Sequence, residues 1–507
     1  MMKTFLKFRP KFFYQFVLLF SIIIGPAIIL GYFRPYGADE SIFLYQGKIL
    51  NVGSMPYIDS WDHKGPLLYI LNSLAISIPL TNSLGVPILQ AALLFGALAY
   101  IGLSSKTLTS NNKNHLMFII FVTITSLTIY LGIHSFNTSE FWCLPIQLVT
   151  YYKLIDYFSN AKEKMIHQKY LFGLCLWLGF ALVFTLLIRP NNSFGIIFGT
   201  ILFIFHLKKI TLSIFLSYFL GIVPLLILVF FYFNPINQNL AKEFFDQYIL
   251  YNIDYSNGYS FRQKIYGFGY LFLNYLKLPI VIFLLILILL KSKKVSNFST
   301  KVCCSFVAVD FLSQTTSGRG YSSYLVGTFA SVLIFIFFLL INHEILEINL
   351  KFSVALATLV FISSIDVQGF ALRWHSNYKE QILASEYLRK HTTAADKILY
   401  LGPNPYVFVR ADRFSSSKFI YSYPLLSNFY RGRAALGKDF TANFLSDPPN
   451  YVVQSSTGSC SLLSDSCYDG NSQYLSEFLA FPEVRKYILN NYLNVATVGG
   501  EIFYKLK

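Results

Sequence analysis

Apolar windows of about 18 to 25 residues recur along the chain, each long enough to cross a hydrocarbon core as a helix. They constrain the fold more than any other feature. About eleven are present, near residues 12–33, 83–104, 115–133, 139–158, 170–188, 192–207, 210–233, 266–290, 299–316, 322–341 and 350–369. Composition agrees, since 54% of the 507 residues are hydrophobic and 13% charged, where a soluble protein carries roughly a quarter of its residues as charges. The expected fold is mainly α, a polytopic membrane helical bundle in contact with membrane lipids. The net charge of +16 does not point to nucleic acid, because Lys and Arg fall in short clusters between apolar runs and form no single basic face.

Counting Lys and Arg in alternate loops orients the bundle, because short cytoplasmic loops keep the positive charge. The N-terminus, Lys106 with Lys113, "KLIDYFSNAKEKMIHQK", "HLKK" and "KSKK" with Lys301 form the basic, cytoplasmic set. "GIHSFNTSE", "RPNNS", "SGRGYSS" and the stretches 34–82 and 234–264 form the outer set. The first window has a basic start and no small-residue cleavage site, so it reads as a retained anchor. The tail then lies outside. Its helical spacing (Ile382, Leu383, Tyr387, Leu388), the apolar runs "KILYLG", "NYVVQS" and "ATVGGEIFYKL", and the turn residues between them predict a small external α/β domain. The expected division is 1–369, the membrane domain with first external loop 34–82, and 370–507, the external domain. The run 234–264, rich in Asn, Tyr and Gln, is expected to be a mobile loop. Cys143, Cys175, Cys303 and Cys304 sit in apolar surroundings and read as packing residues. Cys460 and Cys467 could pair in an oxidising compartment.

One polar island interrupts the apolar pattern at 36–66, "YGADESIFLYQGKILNVGSMPYIDSWDHKGP". Ile42, Phe43, Tyr45, Ile49 and Leu50 follow helical spacing up to "NVGSMP", and "LLYILNSLAISI" after Pro66 is apolar but too short to cross. Two short interfacial helices are therefore expected. Charges near membrane depth are costly and mark functional candidates. Asp39, Glu40, Asp62, His63, Lys64, Glu140, Arg189 and Arg319 all map to the outer rim. Carboxylates beside Arg and Lys suit an anionic donor and a neutral nucleophile, with a carboxylate as base and guanidinium as a fork for phosphate oxygens. Each residue also has a plainer reading: Asp39 and Glu40 as cap and first-turn acid of a helix, Lys64 and Arg319 as snorkelling cations, His63 as a hydrogen-bonded loop residue. No cofactor is fixed by the sequence. Asp39, Glu40, Asp62 and His63 have the ligand types for a divalent metal ion, without a spacing signature such as HExxH.

The pattern "ADESIFLYQGKILNVGSMPYIDSWDHKGPLLYILNSL" resembles the first external loop of bacterial membrane glycosyltransferases of the GT-C class. The branch is the one related to protein O-mannosyltransferases and the aminoarabinose transferase of lipid A. That family carries Asp-Glu after the first span, then "PY", then an Asp-His-Lys-Pro-Pro element. Here these are Asp39-Glu40, Pro56-Tyr57 and Asp62-His63-Lys64-Gly65-Pro66, with Gly65 in place of a Pro. "FNTSEFWCLP" is similar to the family's "NTE" element. "SGRGYSSYLVGTF" is similar to its Gly-Arg followed by an aromatic and a His-Tyr pair, with Ser323 where His is usual and Tyr324 kept. The resemblance implies a bacterial inner-membrane protein that takes a polyprenyl-phosphate sugar donor and transfers the sugar, with inversion, to a glycan, lipid or protein acceptor on the external face. It further implies Asp39 as general base, Glu40 orienting it or the acceptor, and Lys64 and Arg319 with Arg189 binding the departing phosphate. A transporter or flippase of a lipid-linked sugar is the alternative that span number alone suggests, and it should show broken helices or polar groups near the midplane.

Overall fold

The computed structural model describes residues 10–32, 35–79, 84–105, 112–132, 137–160, 168–207, 211–233, 238–274, 297–315, 324, 326–341, 367–455 and 481–507. They form two compact units. One contains residues 1–32, 80–231 and 261–367, and the other 33–79, 232–260 and 368–507.

The first unit is a helical bundle. Nine of the eleven apolar windows coincide with a helix: Pro10–Tyr32, Gly85–Ser104, Asn112–Gly132, Ser139–Asn160, Gln168–Leu186, Phe194–His206, Leu212–Phe233, Asn297–Thr315 and Val326–Ile341. Window 266–290 is described only as far as the end of Phe261–Asn274, and window 350–369 lies almost wholly outside the described residues. Ser139–Asn160 is the hub, packing on Gly85–Ser104, Gln168–Leu186, Phe194–His206, Asn297–Thr315 and Val326–Ile341. Among the described helices, Gly85–Ser104, Gln168–Leu186 and Leu212–Phe233 are long and apolar enough to cross a membrane. The hub falls short of that hydropathy because it carries Glu140, Gln147, Lys153 and Asp156. Leu212–Phe233 leaves Phe215, Phe219, Leu226 and Phe231 uncovered, as a lipid-facing helix would. Small residues let two helices meet through their backbones: a Cβ on Gly221 would lie 2.0 Å from the Leu176 carbonyl, and one on Gly179 2.1 Å from that of Tyr218. Cys143, Cys175 and Cys303 are buried and Cys304 half-buried in this bundle; Cys460 and Cys467 lie outside the described residues.

The second unit carries the small sheet. β1 (Ile398–Leu401), β2 (Tyr451–Ser455), β3 (Tyr492–Val498) and β4 (Glu501–Leu506) are ordered β1-β2-β4-β3. β1 pairs β2 in parallel, Ile398 opposite Tyr451, so the connection between them needs a crossover, supplied by short helices including Tyr406–Ala411 and Arg433–Ser446. β4 runs antiparallel to β2 and forms a hairpin with β3. The hairpin turns on Gly499 and Gly500, whose φ of 57° and 75° suit a residue without Cβ. All three apolar runs of the tail are thus strands, and its helical pattern is the helix Val367–His391.

The tail shares its compact unit with two other segments. The first loop and the run 234–264 join it, whereas the sequence groups loop 34–82 with the spans. The physical reason is a set of specific bonds. Tyr36 exchanges backbone bonds of 2.8 Å with the Gln381 amide, and Arg410 lies 3.9 Å over its ring. Ser415 donates its N–H to the Tyr45 hydroxyl at 2.9 Å, Lys48 pairs with Asp412 at 2.7 Å, and the Trp61 N–H reaches the Lys418 carbonyl at 2.8 Å. From Gln238 on, the run expected to be a mobile loop is helical, as the helix Gln238–Phe244, a π-helical turn Phe245–Leu250 and the helix Tyr251–Asn257.

Candidate active site

The first loop contributes two helices to this unit, Ala38–Asn51 and Pro66–Ser77. They press together at Gly47, where a Cβ would lie 2.7 Å from the Asn72 backbone. Gly37 occupies the N-cap without a side-chain bond, so neither Asp39 nor Glu40 caps the helix; both sit in its first turn, where a negative charge meets the positive end of the helix dipole. They differ sharply in environment. Asp39 is exposed and Glu40 is fully buried.

Between the helices the chain makes a tight, strained turn. Asp59, which the sequence leaves without a role, accepts the Met55 N–H at 2.7 Å and closes it. Tyr57 takes a φ of 72° although it bears a Cβ, a conformation that persists only where the surroundings hold it. Its ring is buried against Tyr69, Phe233 and Phe244, and its hydroxyl donates to the Lys64 carbonyl at 2.6 Å. Gly65 is the N-cap of the second helix, with Pro66 at its first position. Its φ of −76° and ψ of 152° are angles that proline itself adopts, so Gly in place of the resembled family's Pro leaves the backbone path unchanged.

Asp62 is the buried centre of the loop. Tyr69 donates to its Oδ2 at 2.8 Å and Tyr421 to its Oδ1 at 3.1 Å. Its own N–H goes to Gln247 Oε1 at 3.2 Å, and His63 Nδ1 lies 3.4 Å from its Oδ1. Gln247, from the π-helical turn, also donates to the Tyr57 carbonyl at 2.6 Å and to Glu243 at 2.7 Å. Lys418 then pairs with Glu243 at 2.5 Å. Burial pushes the Asp62 carboxyl up, but His63, Lys64 and the Tyr69 hydroxyl outweigh it and hold it below the ordinary carboxylate value. Burial and the Lys64 charge push His63 down against the opposing pull of Asp62 and Asp39, so the imidazole stays neutral near neutrality. The charge of Asp39 is felt at both His63 and Tyr421. Around His63 stand Trp61, Tyr251 and Tyr255, and Asn252 donates to its carbonyl at 2.8 Å. Helix Tyr251–Asn257 is tied to the tail by Asp254, which receives both Nε and Nη2 of Arg431.

The remaining candidates belong to the bundle. Glu140 and Arg189 form a buried ion pair, and the Arg189 guanidinium lies 4.3 Å over the Tyr324 ring. Asn137 opens the hub helix with a φ of 43°; its Oδ1 accepts from Trp142 Nε1 at 2.8 Å and Thr138 Oγ1 from the Phe141 N–H at 3.3 Å, which gives "NTSE" a local structural use. Arg319 lies outside the described residues. Thus Asp39, Glu40, Asp62, His63 and Lys64 share one unit, and Glu140, Arg189 and Tyr324 share the other. Among the described residues no group of three or more His, Cys, Asp and Glu is disposed to hold a metal ion. Sequence reasoning missed Tyr69, Gln247 and Tyr421, which lie in apolar or loop-like stretches and carry no motif.

The two units describe a class of fold: a polytopic helical bundle whose first loop combines with a C-terminal α/β segment. No family model matches the chain, and no curated protein matches it. Among solved structures it is similar to the crystal structure of ArnT from Cupriavidus metallidurans bound to undecaprenyl phosphate, with a TM-score of 0.53 and 9% identity over 96% of this chain and 97% of that one. The likeness runs nearly end to end in both chains, so the fold is the one expected from the first-loop resemblance.

Proposed function

We propose that the chain is an integral-membrane glycosyltransferase that moves a sugar from a polyprenyl-phosphate donor to an acceptor hydroxyl on the external face, with inversion. The observation that carries this reading is the division of labour among the first-loop acids, on a fold shared with a protein whose structure holds undecaprenyl phosphate. Asp62 is occupied by two tyrosine hydroxyls and a backbone framework, whereas Asp39, in the same unit, is exposed to a substrate. Asp39 takes the proton as the acceptor oxygen attacks the anomeric carbon; the bond from that carbon to the phosphate oxygen breaks, and the lipid phosphate leaves. Charge then grows on the phosphate, so a fixed cation lowers the barrier. Lys64 is the leading candidate for that cation, because Tyr57 donates to its carbonyl at 2.6 Å and its own N–H donates to the Tyr69 hydroxyl at 3.2 Å, which fixes its backbone. Arg189 comes already neutralised by Glu140, which makes it the weaker candidate. Glu40, fully buried beside Asp39 in the chain, is assigned the positioning of that turn.

The test is sugar transfer from a labelled polyprenyl-phosphate donor by purified Asp39→Asn protein. A loss of about 10²- to 10⁴-fold with an unchanged melting curve is expected for removal of a general base. Undiminished transfer would remove Asp39 from the mechanism.

A further inference from the structure

One polar cluster within the bundle plays no part in the proposed transfer. Glu140, Cys143, Gln147 and Tyr151 recur at three- and four-residue intervals and so lie along one face of the hub helix. Gln147 Nε2 donates to the Asn192 carbonyl at 2.9 Å, and Gln314 Nε2 to Asn192 Oδ1 at 3.3 Å. One turn further along, the Tyr151 hydroxyl donates to Asp310 Oδ1 at 2.7 Å. Asp310 is 1% exposed, and among the described residues the side chains that act on its carboxyl are the hydroxyls of Tyr151 and Ser331, with no cation beside them. Three oxygens of the cluster remain without a well-aligned hydrogen bond although fully buried, Asp310 Oδ2, Gln147 Oε1 and Gln314 Oε1, as does one donor, Asn192 Nδ2.

We propose that Asp310 anchors a monovalent-cation site inside the bundle, with Na⁺ as its ligand and oxygens of Tyr151, Gln147 and Gln314 as further candidate partners. Three observations support this. An ionisable residue buried in a membrane bundle is costly and is a functional site by default, and three of the four orphaned groups here are acceptors, which a cation would satisfy. A single carboxylate balances one positive charge, while a divalent ion would leave net charge in a low-dielectric interior. Glycine at 195 is what lets the Tyr151–Asp310 pair form, because a Cβ there would collide with the Tyr151 hydroxyl and Asp310 Oδ1. The proposal does not rest on the transferase reading.

The experiment is thermal unfolding of the purified full chain at mildly alkaline pH in rising NaCl, with ionic strength held constant by choline chloride. The midpoint of the wild type should climb with Na⁺, as ligand linkage requires, and that of Asp310→Asn should not move. Gln314→Met, which keeps the carboxylate, should shift the half-effect to higher Na⁺. A wild-type midpoint indifferent to Na⁺ would overturn the proposal and show a carboxyl held by a proton. A Na⁺ response that survives in both variants would overturn it equally, by placing the ion elsewhere.

Discussion

Glu140 in the bundle and Asp62 in the α/β unit are both almost completely buried carboxylates, 2% and 1% exposed, yet they are accommodated by different means. Glu140 is matched charge for charge by Arg189, whose other face is covered by Tyr324. Asp62 has no such single partner: His63 and Lys64 stand beside it and two tyrosine hydroxyls donate to it. A helix in lipid offers few free donors beyond its side chains, so a buried acid there calls for a full counter-charge. A folded loop can converge hydroxyls on one carboxylate and keep an adjacent one, Asp39, open. That contrast is the reason for proposing the loop, and not the bundle pair, as the place of the chemistry.

The largest effect should come from breaking the bundle pair on one side. Glu140→Gln leaves a buried guanidinium unmatched and should cost about 3–5 kcal/mol, while Glu140→Leu combined with Arg189→Met should recover most of it; melting midpoints of the purified variants decide this. Equal loss in the single and double variants would mean that the pair does more than cancel itself. A smaller effect is expected for Asp62→Asn, about 1.5–3 kcal/mol, since the hydroxyls lose a charged acceptor but keep a neutral one. That variant should also lower transfer, because Tyr69 bridges Asp62 Oδ2 and the Lys64 N–H.

The smallest effect concerns His63. Its folded pKa lies below 6.5, so the unfolded chain binds the proton first as pH falls. The stability it contributes is therefore complete above about pH 6.5 and is lost as pH drops from there toward its lowered folded value. Asp62, also lowered, acts in the same direction but in a more acidic window, below about pH 4. His63→Gln should flatten the stability profile just below about pH 6.5 and leave the acidic limb in place.

The spans and the three apolar runs of the tail were legible because periodicity and length are local properties: "KILYLG", "NYVVQS" and "ATVGGEIFYKL" contain β1, β2 and the β3–β4 hairpin. The helices on either side of "NVGSMP" were legible for the same reason. The support of the site was not. Asp62 is held by Gln247 and Tyr421, 185 and 359 residues away in the chain, and only tertiary folding brings them together. The Asn- and Tyr-rich run 234–264 read as a loop because its polar residues face specific partners, Gln247 toward Tyr57 and Asp254 toward Arg431, and not because it lacks structure. Asp310 escaped notice because one acid inside an apolar window barely changes its mean hydropathy.

The most direct test of the central claim is release of free polyprenyl phosphate. The full chain, reconstituted in liposomes with a polyprenyl-phosphate sugar and a hydroxyl acceptor, should liberate the lipid phosphate in step with sugar transfer. Lys64→Met, with an unchanged melting curve, should abolish both. Release at the wild-type rate by the Lys64→Met protein, or sugar lipid crossing the bilayer intact with no phosphate freed, would contradict a first-loop transferase site.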